Sequence, residues 1–209
     1  SGYTDGYGAD ADHLKTLEHI RVAIDVGMTM ITLDLSEVMR PEVAKMTPRQ
    51  VAEEFAELPA EVRDIATRDF AGKSLDLQSA AGKTAVAFSA EEARLCAVMY
   101  TPALDFAHEV YTLLKTRRGE GRFDLEMSID ETTTPTLPAH HLYIIRELIR
   151  RGVKVVSLAP RFIGEFQKGI DYIGDLKEFR KQFGQHVEIA DFFGTYKVSV
   201  HSGSDKFSA

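Results

Sequence analysis

Two strand-like segments carry the residues best suited to chemistry. Tyr196, Val198 and Val200 alternate with Lys197, Ser199 and His201, giving one apolar and one polar face, and Ser202-Gly203-Ser204-Asp205-Lys206 follows as a small polar turn. Phe123, Leu125, Met127 and Ile129 alternate in the same way with Asp124, Glu126, Ser128 and Asp130. His201 at such a strand end is either a metal ligand, as a neutral imidazole joined by carboxylates from neighbouring strands, or a hydrogen-bonded rim histidine. Glu126 is costly to bury alone, so it must be hydrogen-bonded, metal-bound, engaged in proton transfer, or paired with Lys197. Arg161, behind Pro160 at a strand exit, can fork onto a substrate carboxylate or pair with a nearby acid. His13 follows Asp10 and Asp12, and either aspartate can serve as a helix cap.

The elements needed to position these residues alternate between strand and helix. Helical spacing predicts helices over 10–26, 48–66 with an interruption at Pro59, 90–116 broken or bent at Pro102, 139–151, 175–183 and 187–193. Strands are expected at 28–33, 123–130 and 153–158, with a last one ending at His201, and residues 72–82 read as a loop. Counting one strand cut short at Ser1 gives about five, fewer than the eight of a (β/α)8 barrel of ~250 residues. The expected fold is therefore α/β and TIM-barrel-like: a partial (β/α) barrel in one domain over 1–209, with a helical insertion or lid at 41–118. In such folds ligands bind beyond the carboxyl ends of the strands.

Composition removes several classes. The 209 residues are 44% apolar and 27% charged, enough for a globular core, and the net charge of −7 gives no nucleic-acid footprint. No run of 18 apolar residues suggests a membrane span. The single cysteine, Cys96, fits a buried helical thiol and a reducing, cytoplasmic setting. His140 and His141 read as first-turn surface residues, and His19, His108 and His186 draw no functional assignment. No phosphate-binding glycine motif is present.

Five blocks in order carry a resemblance: Gly8-Ala9-Asp10-Ala11-Asp12-His13-Leu14-Lys15-Thr16, Glu126-Met127-Ser128-Ile129-Asp130-Glu131-Thr132, Ser157-Leu158-Ala159-Pro160-Arg161-Phe162, Lys168-Gly169-Ile170-Asp171-Tyr172-Ile173-Gly174-Asp175 and His201-Ser202-Gly203-Ser204-Asp205-Lys206-Phe207-Ser208. The sequence resembles the tagaturonate/fructuronate epimerases of bacterial hexuronate catabolism, whose members are longer, so the chain is expected to be a segment. The resemblance implies a divalent-metal-dependent isomerase (zinc, manganese, nickel or cobalt) acting on a ketouronate, with homo-oligomerisation left open. Because C4 lies beta to the C2 ketone, its hydrogen is not acidified. The implied chemistry is retro-aldol cleavage of C3–C4, rotation and re-addition, with the metal as Lewis acid. Carried onto matching positions, His13, His201 and Glu165 become metal ligands. Glu126 becomes the proton donor and Asp12 the acceptor. Arg161 and Lys206 hold the substrate carboxylate, and Ser202 and Ser204 its hydroxyls. The competing readings are an aldolase or isomerase of another ketose, and a non-catalytic sugar-binding fragment.

Overall fold

The structure, a computed structural model, describes Gly2, Thr4 and residues 9–209. Gly8, which opens the first resemblance block, and most of the glycine-rich start lie outside the described residues. The elements run β1 (Asp10–Leu14), α1 (Leu17–Asp25), β2 (Met30–Asp34), a 3-10 turn (Pro41–Lys45), α2 (Pro48–Glu57) and α3 (Ala60–Ile65), which a π turn extends through Ala66–Phe70. There follow β3 (Ser74–Gln78), β4 (Lys83–Ala87), α4 (Ala90–Arg118), β5 (Asp124–Ser128), α5 (Pro138–Arg150), β6 (Ser157–Ala159), α6 (Leu176–Phe193) and β7 (Lys197–Val198).

Five strands form one parallel sheet in the order β1-β2-β5-β6-β7, so each sequential βα step adds the next neighbour. This is an open sheet. The described residues do not close a barrel, and the expectation is borne out only as a parallel α/β fold. The separate β3–β4 hairpin lies in the long crossover between the adjacent strands β2 and β5. Val51, Val62, Phe70, Leu77 and Val86 of that crossover belong to the same hydrophobic cluster as the sheet.

Local chemistry sets the boundaries. Thr16, Thr47, Ser89 and Asp175 each accept a backbone N–H from the first turn of the helix that follows, and Gln50 completes a capping box with Thr47. Thr16 overturns the expected helix over 10–26. The chain turns helical only after its cap, and Asp10 to Leu14 pairs with β2 instead, so neither Asp10 nor Asp12 is a cap. Residues 72–82, expected as a loop, supply β3 because Leu75 and Leu77 pair across to Val86 and Thr84. Pro102 does not interrupt α4, and the two expected helices over 175–193 are one.

Ile31, Leu33, Leu125, Met127 and Leu158 point to the helices, where α4 and α5 supply Ala97, Leu104, Ile145 and Leu148. Each leucine, isoleucine or methionine among them, fully buried, is worth roughly 1.5–3 kcal/mol. His140 and His141 are not surface residues, because the start of α5 is wedged between its neighbouring helices. His140 bridges Tyr100 (2.8 Å) and Glu92 (2.7 Å), while His141 bridges His186 (2.8 Å) and Tyr196 (2.6 Å). Cys96 is buried as expected, and burial pushes its thiol pKa well up. No helix among the described residues is long and apolar enough to cross a membrane.

The other face of the sheet is polar yet still buried. Parallel register aligns Thr32, Glu126 and Ser157 in one row, with Asp34 and Ser128 paired two residues further along. Thr32, Asp34 and Ser128 are at most 1% exposed and Glu126 is 5% exposed. Polar groups removed from water this completely must satisfy one another.

Candidate active site

Glu126 is the centre of that satisfaction. Its Oε1 lies 2.7 Å from His201 Nε2 and accepts from Thr32 Oγ1 at 3.4 Å, and its Oε2 accepts from the Ser157 hydroxyl. Thr32 also donates to Asp10 Oδ2 at 2.9 Å, linking β1, β2 and β5. Burial alone would raise the Glu126 carboxyl, but the donors His201, Ser157 and Ser199 outweigh it and hold the pKa below its usual range. Asp10 is shifted the opposite way, raised chiefly by burial against only one strong donor, Thr32. Lys197 is exposed and forms no ion pair with Glu126.

The second centre is the pair of imidazoles. His13 and His201 stand edge to face with ring centroids 5.0 Å apart. His13 Nδ1 lies 3.0 Å from Asp34 Oδ2, and Asp34 Oδ1 accepts from Ser36 N at 2.8 Å. Each ring is thus held by a carboxylate through one nitrogen, leaving His13 Nε2 and His201 Nδ1 turned elsewhere. His201 Nδ1 is 3.3 Å from Asp130 Oδ1, yet this buried atom makes no hydrogen bond. Asp130 and Glu126 together push the His201 pKa up to about 10. His13 (φ 53°) and Ser202 (φ 50°) are the non-glycine residues with left-handed backbone among the described residues. Such backbone costs of order 1–3 kcal/mol and collects where surrounding structure imposes it, as at functional sites.

One ligand atom from each of His13, Asp130 and His201 lies within 4.8 Å of the others. The donor set, two imidazoles and a carboxylate, suits zinc and similar divalent cations, and His201 Nδ1, which meets Asp130 at 3.3 Å without a well-aligned hydrogen bond, is placed to ligate one. A carboxylate gripping the far nitrogen of each imidazole fixes the ring's orientation and tautomer, as it does for histidines that bind metals. The residues present fit a cation.

Two adjoining cavities of about 220 and 410 Å³ open at this place and share His201 and Ser202. The larger brings Asp12, His13 and Glu126 together, as the sequence predicts, and adds Asp10 and Lys168. The smaller holds Arg161 beside Asp130, Phe162 and Phe166. Among the described residues no carboxylate lies within 4.0 Å of the Arg161 guanidinium. Three predicted residues stand apart. Glu165 is exposed and accepts from Gln167 at 2.7 Å, and Ser204 is exposed and lines neither cavity. Lys206 is buried, and its ammonium is used by the carbonyls of Gln167 (2.7 Å) and Ile170 (2.8 Å). Asp130, Asp10 and Thr32 were missing from the predicted set, though Thr32 and Asp34 already stood two apart on one strand face.

A family model for the tagaturonate epimerase UxaE matches residues 1–209. The chain belongs to the tagaturonate epimerase family. A relative from Thermotoga maritima, named a tagaturonate/fructuronate epimerase, is 42% identical over 207 residues, 99% of this chain and 41% of the relative. Crystal structures of the fructuronate-tagaturonate epimerase UxaE from Cohnella laeviribosi superpose with TM-scores of 0.90 (one glycerol bound) and 0.89 (native). Both are 46% identical, covering 99% of this chain and 41% of theirs. The chain therefore spans about two fifths of the length of these relatives.

Proposed function

We propose that this chain carries the active centre of an epimerase that interconverts D-tagaturonate and D-fructuronate at C4. The observation that carries the reading is the convergence of His13, Asp130, His201 and Glu126 at one end of the parallel sheet, in a chain of this family. A divalent cation held by His13, Asp130 and His201 would supply Lewis-acid polarisation of the ketone oxygen.

The protein's own groups account for the rest of the chemistry. C4 lies beta to the ketone, so its hydrogen is not acidic, and inversion there proceeds by breaking and remaking C3–C4. Glu126, held ionised by its hydrogen bonds, is poised to accept a proton rather than to give one. It takes the C4 hydroxyl proton as C3–C4 breaks, leaving an aldehyde at C4 while the bonding pair passes into an enolate across C2 and C3. After the aldehyde rotates, C3 of the enolate adds to its other face and Glu126 returns the proton to the C4 oxygen. The expected proton donor therefore starts as the acceptor, and the two roles are the two directions of one transfer. Asp12 lines the same cleft and is the second candidate for moving protons. Arg161 offers two parallel donors to the substrate carboxylate, and Ser202 hydrogen-bonds a hydroxyl.

The test is turnover of D-tagaturonate by the complete protein in deuterated water. The reading expects D-fructuronate carrying no deuterium at C4. Deuterium at C4 would overturn the retro-aldol route, and absence of any conversion would overturn the reaction.

A further inference from the structure

The segment between β6 and α6 packs Phe162, Phe166 and Tyr172 against Phe179 of α6, and its own contacts fix the rest of its path. Glu165 and Ile173 pair as an antiparallel bridge at its base. Gly164 and Gly174 flank the Tyr172 hydroxyl so closely that a Cβ at either would sit 2.4 or 2.5 Å from its oxygen, and both glycines have positive φ. Tyr172 in turn donates to Ile163 O at 3.2 Å. The tip, residues 167–170, is gripped from outside. The Lys206 ammonium bonds the carbonyls of Gln167 at 2.7 Å and Ile170 at 2.8 Å, and Asp205 Oδ2 accepts from Gly169 N at 2.9 Å. Burying the Lys206 ammonium costs its hydration, which these two carbonyls replace in part, so the contact ties the tip of the loop to the turn after β7.

Lys168 is the residue enclosed by those contacts. Its side chain is exposed and lines the cleft with Asp10, Asp12, His13, Glu126 and His201. Among the described residues no carboxylate lies within ion-pair distance, 4.0 Å, of its ammonium. A cleft this acidic repels an anionic sugar acid unless cations are placed in it. Arg161 supplies one from the start of the loop, and Lys168 supplies another from its tip.

We propose that Lys168 contacts the carboxylate of the substrate and sets the preference for a sugar acid over its neutral ketose, and that Lys206, with Asp205, is the positioning residue that holds Lys168 there. The proposal deepens the reading above, since it rests on an anionic sugar as ligand, and it reassigns Lys206 from substrate contact to support.

The experiment is calorimetric binding of D-tagaturonate and D-tagatose to the complete protein, alongside turnover of each, in wild type, Lys168→Met, Lys206→Met and Asp205→Asn. Loss of a charge-assisted contact predicts that the affinity ratio of acid to neutral sugar falls about tenfold in Lys168→Met, the acid losing far more than the neutral sugar. Lys206→Met lowers the same ratio, and adding Lys168→Met to it changes the ratio little further. Asp205→Asn lowers it by less and stands in should Lys206→Met fail to fold. A ratio unchanged in Lys168→Met overturns the proposal while the epimerase reading stands. A ratio unmoved in Lys206→Met and Asp205→Asn, despite lowered thermal stability, overturns the positioning role. A protein that binds the acid preferentially through Lys168 but does not epimerise it supports the contact and overturns the reaction.

Discussion

His201 Nε2 lies 2.7 Å from Glu126 Oε1, joining the turn after the last strand to the middle of the central one. Through this contact a carboxylate of the proposed proton transfer also orients a proposed metal ligand. The remaining nitrogen of the ring faces His13 and Asp130.

Glu126→Gln keeps the side chain's shape but abolishes its capacity to accept a proton. Turnover of D-tagaturonate in the complete protein is expected to fall about 10²–10⁴-fold, the usual worth of a positioned acid–base group, with KM little altered. Steady-state kinetics decides this. A kcat close to that of wild type would remove Glu126 from the proton transfer.

Asp34→Asn tests the support of His13. Asp34 is fully buried and holds His13 Nδ1 at 3.0 Å, so its loss frees the ring to turn. Affinity for a divalent cation is expected to drop about ten- to a hundredfold, the range for carboxylates that orient a metal-binding histidine. Competition against a chromophoric chelator measures it. An unchanged affinity would mean that His13 is not held for a metal.

Acid should weaken the fold through the His141–His186 pair. Burial holds both imidazoles neutral, His186 with its pKa lowered from 6.5 to about 4 and His141 lowered further by its neighbour as well. In the unfolded chain they take up protons as pH drops below about 6.5, and in the fold they do not. Their titration therefore costs the fold nothing above that pH and destabilises it progressively as pH falls toward 4, His186 alone by about 3 kcal/mol. Urea unfolding between pH 7 and 4 should show this loss, and His186→Leu should flatten it. An equally steep acid limb in that variant would contradict the assignment.

The sequence made some of this site legible and hid the rest for physical reasons. The alternation from Phe123 to Asp130 identified β5, and with it the polar face carrying Glu126, because period-2 patterning is local. The meeting of His13, Glu126 and His201 was also foreseeable, since parallel strands deliver their ends to one rim. β1 was hidden because Leu14, Leu17, Ile20 and Ile24 mimic a helical stripe, and only the cap at Thr16 separates strand from helix. The β3–β4 hairpin was masked by outward-facing Asp76, Gln78 and Lys83, which read as loop. Lys206 and Glu165 were misdirected because where a side chain points after a loop depends on the path of that loop in space. His140 and His141 looked exposed because nothing local announces that the first turn of α5 is packed between helices.

The most direct test measures metal content and epimerase turnover on the same sample of the complete protein, before and after chelation, in wild type, His13→Ala and His201→Ala. If the proposed mechanism holds, wild type loses its divalent cation and its turnover together and regains both on adding the ion back, while both variants retain little metal and little activity. Wild-type turnover at full rate in protein stripped of metal would contradict it.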